Sequence, residues 1–320
     1  MACDGIPSMS NTTGGVNIHT KKIGRNLFQI DLQTGGFRNL IASYVLKGTE
    51  TALVETGPSS SIPNLLSGLT ELNVKPQDVA YVAVSHIHLD HGGGVGTLLK
   101  SLPNAKVVVH PRGLPHLVNP ERLWSQSNTV LGSVAKVYGA PEPVPQERII
   151  AAADGMDFNF GNGAWLRAVE TLGHASHHLS FYESLNGGIF PGDAAGIYLN
   201  EFDVVVPTTP SPFCLEIALS SLDKLANLKP RALYYSHFGE AGEAVKRLQD
   251  YKSQIKSWAN IVKDGMRKKQ SLDFIRKRIL AEDENMRKIA PFLRAHPIYV
   301  KTVIQNSVQG FVDWVEESEN

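Results

Sequence analysis

Residues 84–92 read Val84-Ser85-His86-Ile87-His88-Leu89-Asp90-His91-Gly92. A β-rich run, Val79–Val84, delivers them onto a turn. A glycine run, Gly92 to Gly94, then opens a helical pattern. Three imidazoles and a carboxylate thus fall within six residues. Protein groups alone do not readily satisfy so many of them in an interior. Neutral imidazole with carboxylate suits zinc, iron or manganese. Alternation along an extended turn lets His86 and His88 face one way and leaves Asp90 and His91 for a second metal position. A plain run of surface histidines would not need this strand–turn–helix setting.

Working outward, three more segments place a metal-capable side chain just beyond a short strand. Thr171-Leu172-Gly173-His174 follows Trp165–Glu170. Pro191-Gly192-Asp193 follows Gly188–Phe190, and Ser236-His237-Phe238-Gly239 follows Ala232–Tyr235. Loops at strand ends are where α/β scaffolds carry reactive groups. A lone histidine after a strand is more often structural, so the weight rests on the combination.

Other short runs rich in Val, Ile, Leu, Tyr or Phe read as strands: Leu27–Leu32, Ile41–Lys47, Thr51–Val54, Lys106–Val109 and Leu179–Tyr182. Helices fit Ile62–Glu71, Gly94–Ser101 and Pro212–Leu228. After Gly239 the pattern changes. Ala244, Leu248, Tyr251, Ile255, Trp258 and Val262 recur every three or four residues, which predicts one long amphipathic helix from about Gly242 to Lys269. A second helix fits Ser271–Ala281, with Ser271 as its start, and more helix is expected from Glu284 onward.

Composition sets the outer limits. Lys plus Arg and Asp plus Glu both number 31, so no global field draws the chain to nucleic acid or to an acidic membrane. The net charge is −3 before Phe238 and +3 from there on, too little to name a partner. Two cysteines, Cys3 and Cys214, exclude a disulfide scaffold and a Cys-ligated zinc module. No apolar run approaches the roughly 20 residues of a spanning helix. Residues 1–15 lack a basic start and an apolar stretch, so they read as a flexible tail and not as a signal peptide. A cytoplasmic location is the expectation.

The ordered series His86, His88, Asp90, His91, His174, Asp193 and His237 resembles the metallo-β-lactamase superfamily over roughly residues 25–240. The resemblance implies an α/β fold of the α+β kind. In this αββα sandwich two sheets face each other with helices outside, and here a C-terminal helical extension follows. The expected layout is a tail over 1–15, the metallo-β-lactamase-like domain over 16–240 and the extension over 241–320. His86, His88 and His174 would hold a first divalent metal, and Asp90, His91 and His237 a second. Asp193 would bridge both. Two metal ions per chain are implied, zinc first, with iron or manganese as alternatives. The stretch Val109–His116 and the run from Gly192 to Pro212 look like a sparsely characterised, lactonase- or glyoxalase II-like group of hydrolases.

Two departures from the family pattern matter. Where the family has Asp, this chain has Glu55 in Val54-Glu55-Thr56-Gly57, one methylene longer, so the hydrogen bonds that orient the ligands must be re-aimed. Where the third motif usually has Gly, this chain has His177, before the matching His178. His178 is expected to be structural, and His177 to stay outside the metal site. Tyr198, five residues after Asp193, is a candidate hydrogen-bond donor to a substrate oxygen. His110, Arg112 and His116 lie where they would rim a pocket or serve structure. Phe213, Cys214, Tyr251 and Trp258 read as packing residues.

A metal-bridged hydroxide acting on an ester-like bond is the leading function, because two shared ions bring the pKa of water toward about 7. Asp90 would ligate and orient it, and Tyr198 would assist. A lactone, acyl-homoserine lactones included, or another small ester is the first substrate class. Thioesters, as in glyoxalase II, and phosphodiesters are alternatives. A diiron or persulfide-type oxidoreductase is the competing class. It is disfavoured because oxygen-reducing diiron relatives tend to replace His88 with Glu. A nuclease fits least, for want of a basic patch. The expected partner is a small-molecule substrate, and the C-terminal helices either cover the active site, as in glyoxalase II-like members, or build a homodimer through the long helix.

Overall fold

The computed structural model describes residues 20–319, so the expected tail over 1–15 lies outside the described residues. The first sheet has seven strands in chain order. They are β1 (Thr20–Gly24), β2 (Leu27–Asp31), β3 (Ala42–Lys47), β4 (Thr51–Val54), β5 (Val79–Ala83), β6 (Lys106–Val109) and β7 (Ile149–Ala151). The first four pair antiparallel, and β4 through β7 pair parallel. The second sheet contains β8 (Asp157–Asn159), β9 (Trp165–Glu170), β10 (Leu179–Glu183) and β11 (Ile189–Phe190). A separate hairpin, β12 (Ile197–Leu199) with β13 (Val204–Val206), comes next. Then β14 (Leu233–Tyr235) and β15 (Gly239–Ala241) complete the second sheet, in the order β15-β14-β11-β10-β9-β8.

Strand periodicity explains how the layers stack. Along β3, Ala42, Tyr44 and Leu46 point into a core shared with Leu166, Phe181 and Phe190 of the second sheet. Val45 points the other way, into the core beneath the helices. All of β3 except Lys47 is buried, so its two apolar faces merge into one continuous run. The Tyr44 hydroxyl crosses the sandwich and donates to the Tyr235 carbonyl oxygen at 2.6 Å.

On the outer face of the first sheet lie α1 (Ile62–Glu71) and α2 (Val95–Leu99), followed by α3 (Leu114–Val118), α4 (Glu121–Leu131) and α5 (Ser133–Tyr138). The second sheet carries α6 (Leu215–Asn227). The helix expected over Gly94–Ser101 is thus shorter. The trio α3–α5 occupies a stretch that the sequence left unassigned.

The extension begins with α7 (Ala244–Arg267), whose Leu248, Tyr251, Ile255, Trp258 and Val262 are buried as the periodicity predicts. Then come α8 (Leu272–Glu282) and α9 (Glu284–Ala295). Ser271 caps α8 by accepting from the Phe274 amide, and Asp283 caps α9 by accepting from the Met286 amide. A wide π-type turn over Val300–Asn306 leads into α10 (Ser307–Glu319). Residues of α7–α10 share one apolar core with Leu215, Leu222 and Tyr198. The extension is therefore fused to the sandwich. Among the described residues, no helix is long and apolar enough to cross a membrane.

Candidate metal centre

One end of the sandwich collects every strand end singled out by the sequence. The turn after β5 carries His86, His88, Asp90 and His91, and it closes on itself where the His91 and Gly92 amides donate to the His88 carbonyl oxygen at 3.0 Å. His174 follows β9, Asp193 follows β11 and His237 follows β14. Their donor atoms form three overlapping groups, each within 4.8 Å: His86, His88 and His174; His86, His91 and Asp193; and Asp90, His91 and His237. The first and third groups are the two ligand sets implied by the resemblance, with Asp193 between them. Asp193 Oδ1 lies 3.4 Å from His91 Nε2 and 3.9 Å from His237 Nε2, and Oδ2 lies 3.6 Å from His174 Nε2.

Hydrogen bonds behind the rings fix which nitrogen faces inward. His174 donates Nδ1–H to the Thr208 carbonyl oxygen at 2.8 Å, and His237 donates Nδ1–H to that of Leu40 at 2.7 Å. Each ring therefore keeps the Nε2 lone pair for the centre. His86 Nε2 and His88 Nδ1 approach to 2.9 Å, and His88 Nδ1 lies 3.2 Å from His174 Nε2. Burial and neighbouring imidazoles push His86 and His88 well below the ordinary histidine range, so both are neutral. At His91, burial pushes downward, but Asp193, Glu55 and Asp90 outweigh it and hold the ring well above its ordinary range. At Asp90, burial pushes upward, yet His91 and His237 prevail and bring the carboxyl to about 2.

Converging lone pairs, ionised carboxylates and buried loose ends all call for a cation. Asp193 Oδ1 and Glu55 Oε2 are buried without a hydrogen-bond partner. Nitrogen and carboxylate donors fit a divalent ion of the zinc, iron or manganese type.

The surrounding groups hold these ligands in place. Glu55, in a left-handed backbone at φ 67°, accepts from the Ser85 amide and the Ser236 hydroxyl through Oε1, and Oε2 faces His91 Nδ1 at 3.4 Å. The longer side chain thus still reaches the ligand loop. A Glu55→Gln variant keeps one acceptor but sets an amide N–H against the His91 ring, so metal affinity should fall by about 10-fold. A chelator-competition titration checks this, and an unchanged affinity would contradict it. His178 is structural, as expected: it accepts from the Asp193 amide at 3.1 Å and is paired with Thr171 at 2.9 Å. Gly192 lies beside it at φ 53°. A Cβ there would meet Ser85 Cβ at 2.6 Å and His178 Nε2 at 2.7 Å, so only glycine lets Asp193 enter.

A cavity of about 510 Å³ opens onto the cluster, with His88, Asp90, His174 and Asp193 on its floor. Leu123, Val130 and Leu131 of α4 line it, as does Asn306 of the extension. The extension therefore contributes to the pocket. His116 and His177 also line it, whereas His110 pairs with Glu170 at 2.9 Å and Arg112 donates to the Ser176 carbonyl oxygen. His177 belongs to none of the three ligand groups, in keeping with its expected place outside the metal site, and it lines the cavity with its Nδ1 buried without a partner.

Tyr198 requires a correction. Its hydroxyl donates to Asp203 Oδ1 at 2.9 Å, its ring stacks near Tyr235, and Arg247 lies over its face. It is absent from the cavity wall, so the expected contact with a substrate oxygen has no geometric basis. Cys214, read as core, is half-buried and precedes α6.

A family model for the metallo-beta-lactamase superfamily matches residues 37–237. The chain belongs to the metallo-beta-lactamase superfamily. A metallo-beta-lactamase fold-containing protein of Sulfurisphaera tokodaii is 31% identical over 67% of this chain and 79% of its own length. Its crystal structure superposes with a TM-score of 0.63 at 29% identity, covering 72% of this chain and 86% of that one. A thioesterase of Emericella nidulans is 28% identical over 64% of this chain and 49% of its own length. An N-acyl homoserine lactonase of Azorhizobium caulinodans is 33% identical over 34% of this chain and 38% of its own. This chain thus spans half or less of the last two. Membership in the superfamily and the His/Asp cluster make it a metal-binding hydrolase of that fold.

Proposed function

We propose that the chain is a dinuclear metallohydrolase that opens an ester-like carboxyl bond, with a lactone or another small ester as its substrate. The observation that carries this reading is the pair of three-ligand groups, His86, His88, His174 and Asp90, His91, His237, with Asp193 between them beneath a cavity. Divalent ions bound there would polarise a carbonyl oxygen and make a water molecule acidic enough to attack at neutral pH.

The chain's own residues do the rest. Asp90 lines the cavity with its side chain 21% exposed, so its carboxylate is placed to accept a hydrogen bond from the attacking water. Leu123, Val130 and Leu131 give one side of the cavity an apolar surface that suits the apolar part of an acyl group. Ser125 and Gln126 add hydrogen-bonding groups along the same wall. The volume suits a small molecule, since ligand pockets run from about 300 to 1,000 Å³. A thioester is the second reading, favoured by thioesterases among the relatives.

The test is a panel of aliphatic lactones, acyl thioesters and phosphodiesters offered to zinc-loaded protein, with and without chelator. Hydrolysis of a lactone or simple ester that stops on chelation is the expected result. Turnover confined to phosphodiesters, or indifferent to chelation, would overturn the proposal.

A further inference from the structure

The family match ends at residue 237, yet the C-terminal extension reaches the metal centre through one short segment, residues 207–210. Ser307, the first residue of α10, is fully buried. Its hydroxyl donates to the Pro207 carbonyl oxygen at 3.1 Å and accepts from the Thr209 amide at 3.2 Å. The Thr209 hydroxyl returns the contact by donating to the Ser307 carbonyl oxygen at 3.0 Å. One turn further on, a Cβ at Gly310 would sit 1.9 Å from the Thr209 carbonyl oxygen, so the helix backbone lies directly against the segment.

Thr208 is the residue clamped between these contacts. Its carbonyl oxygen takes the Nδ1 proton of His174 at 2.8 Å, and its hydroxyl lies 3.5 Å from Asp193 Oδ2. Three reciprocal hydrogen bonds on its two neighbours leave the Thr208 peptide little freedom. A ligand ring is only as well aimed as the acceptor behind it.

We propose that Ser307 is a positioning residue for the metal centre, acting through Thr208 on the ring of His174. The extension thereby sets the affinity of the position formed by His86, His88 and His174. The position formed by Asp90, His91 and His237 is backed instead by Leu40 and Glu55, and the oxygen that Asp193 turns toward His91 and His237, Oδ1, is not the one beside the Thr208 hydroxyl. The inference rests on the metal-centre reading above.

The experiment titrates full-length protein, stripped of metal, with Co(II) and follows the visible absorbance of the ion under chelator competition. Four proteins are compared: wild type, Ser307→Ala, Thr209→Val and Trp314→Phe. The last is a control on α10, where it removes the bond from Trp314 Nε1 to Glu216 at 3.0 Å and trims a buried ring that lies near Phe311 and under Lys263. In Ser307→Ala and Thr209→Val, one of the two binding steps should weaken by about 10-fold, the size of effect seen for partners behind metal ligands, with the other step unmoved. Trp314→Phe should lower the melting temperature and leave both steps as in wild type.

Equal weakening of both steps, no weakening in either segment variant, or the same weakening in Trp314→Phe would overturn the inference. If Ser307→Ala fails to fold, Thr209→Val alone decides. Wild type that binds no Co(II) would instead remove the metal-centre reading itself, which separates the two failures.

Discussion

Asp193→Ala is expected to lose more than about 100-fold in hydrolysis and to bind metal far more weakly, because partners one step behind a ligand already cost 10–100-fold. Asp193 approaches three of the cluster's histidines, with one oxygen toward His91 and His237 and the other toward His174. No neighbouring side chain replaces both contacts. The fold should survive, since the bond from its backbone amide to His178 does not depend on the carboxylate. Elemental analysis, circular dichroism and the ester panel, run on the same preparation, read the three expectations separately. A folded variant with wild-type turnover would show that Asp193 does not hold the centre together.

The second large effect lies far from the chemistry. Trp258 on α7 is fully buried, and its indole N–H donates to Asp283 Oδ2 at 2.7 Å. That carboxylate also receives Gln254 and caps α9 through the Met286 amide. Its ring lies 6.2 Å from Phe311 of α10. Truncation to alanine therefore empties a large volume and releases the cap shared by α7 and α9. Trp258→Ala should destabilise the chain by about 3–5 kcal/mol. Urea unfolding of wild type and variant checks it, and a loss below about 1 kcal/mol would mean that the extension collapses around the gap.

The legible parts of the sequence were those written locally. His86, His88, Asp90 and His91 lie on one turn, so their joint chemistry was visible within six residues. The strands from Leu27 to Val109 were visible because β3 to β6 are short apolar runs buried on both faces. The α7 periodicity was legible because a single face of one long helix is buried. His174, Asp193 and His237 were grouped with the turn because each lies just beyond a short strand, and which ligand set each joins came from the resemblance.

What escaped reading depends on partners distant in sequence. The helices α3–α5 are brief, interrupted by Pro120 and Gly132, and carry too few buried positions for a period to show. Tyr198 was misassigned because the groups that engage it include Arg247, on a helix 49 residues later. Strands β12 and β13 have three residues each, too few for alternation to register. The contact of Ser307 with Pro207 and Thr209 spans about a hundred residues and carries no local signal. The place of His177 on the cavity wall was not read, because it depends on how the turn before β10 packs against distant α4.

The account stands on a two-position metal centre, and metal stoichiometry tests it most directly. Protein purified without added metal, then equilibrated with zinc and desalted, is analysed for bound ions per chain. The account predicts two for wild type and clearly fewer for Asp193→Ala. One ion or none in wild-type protein, or two in both proteins, would contradict it.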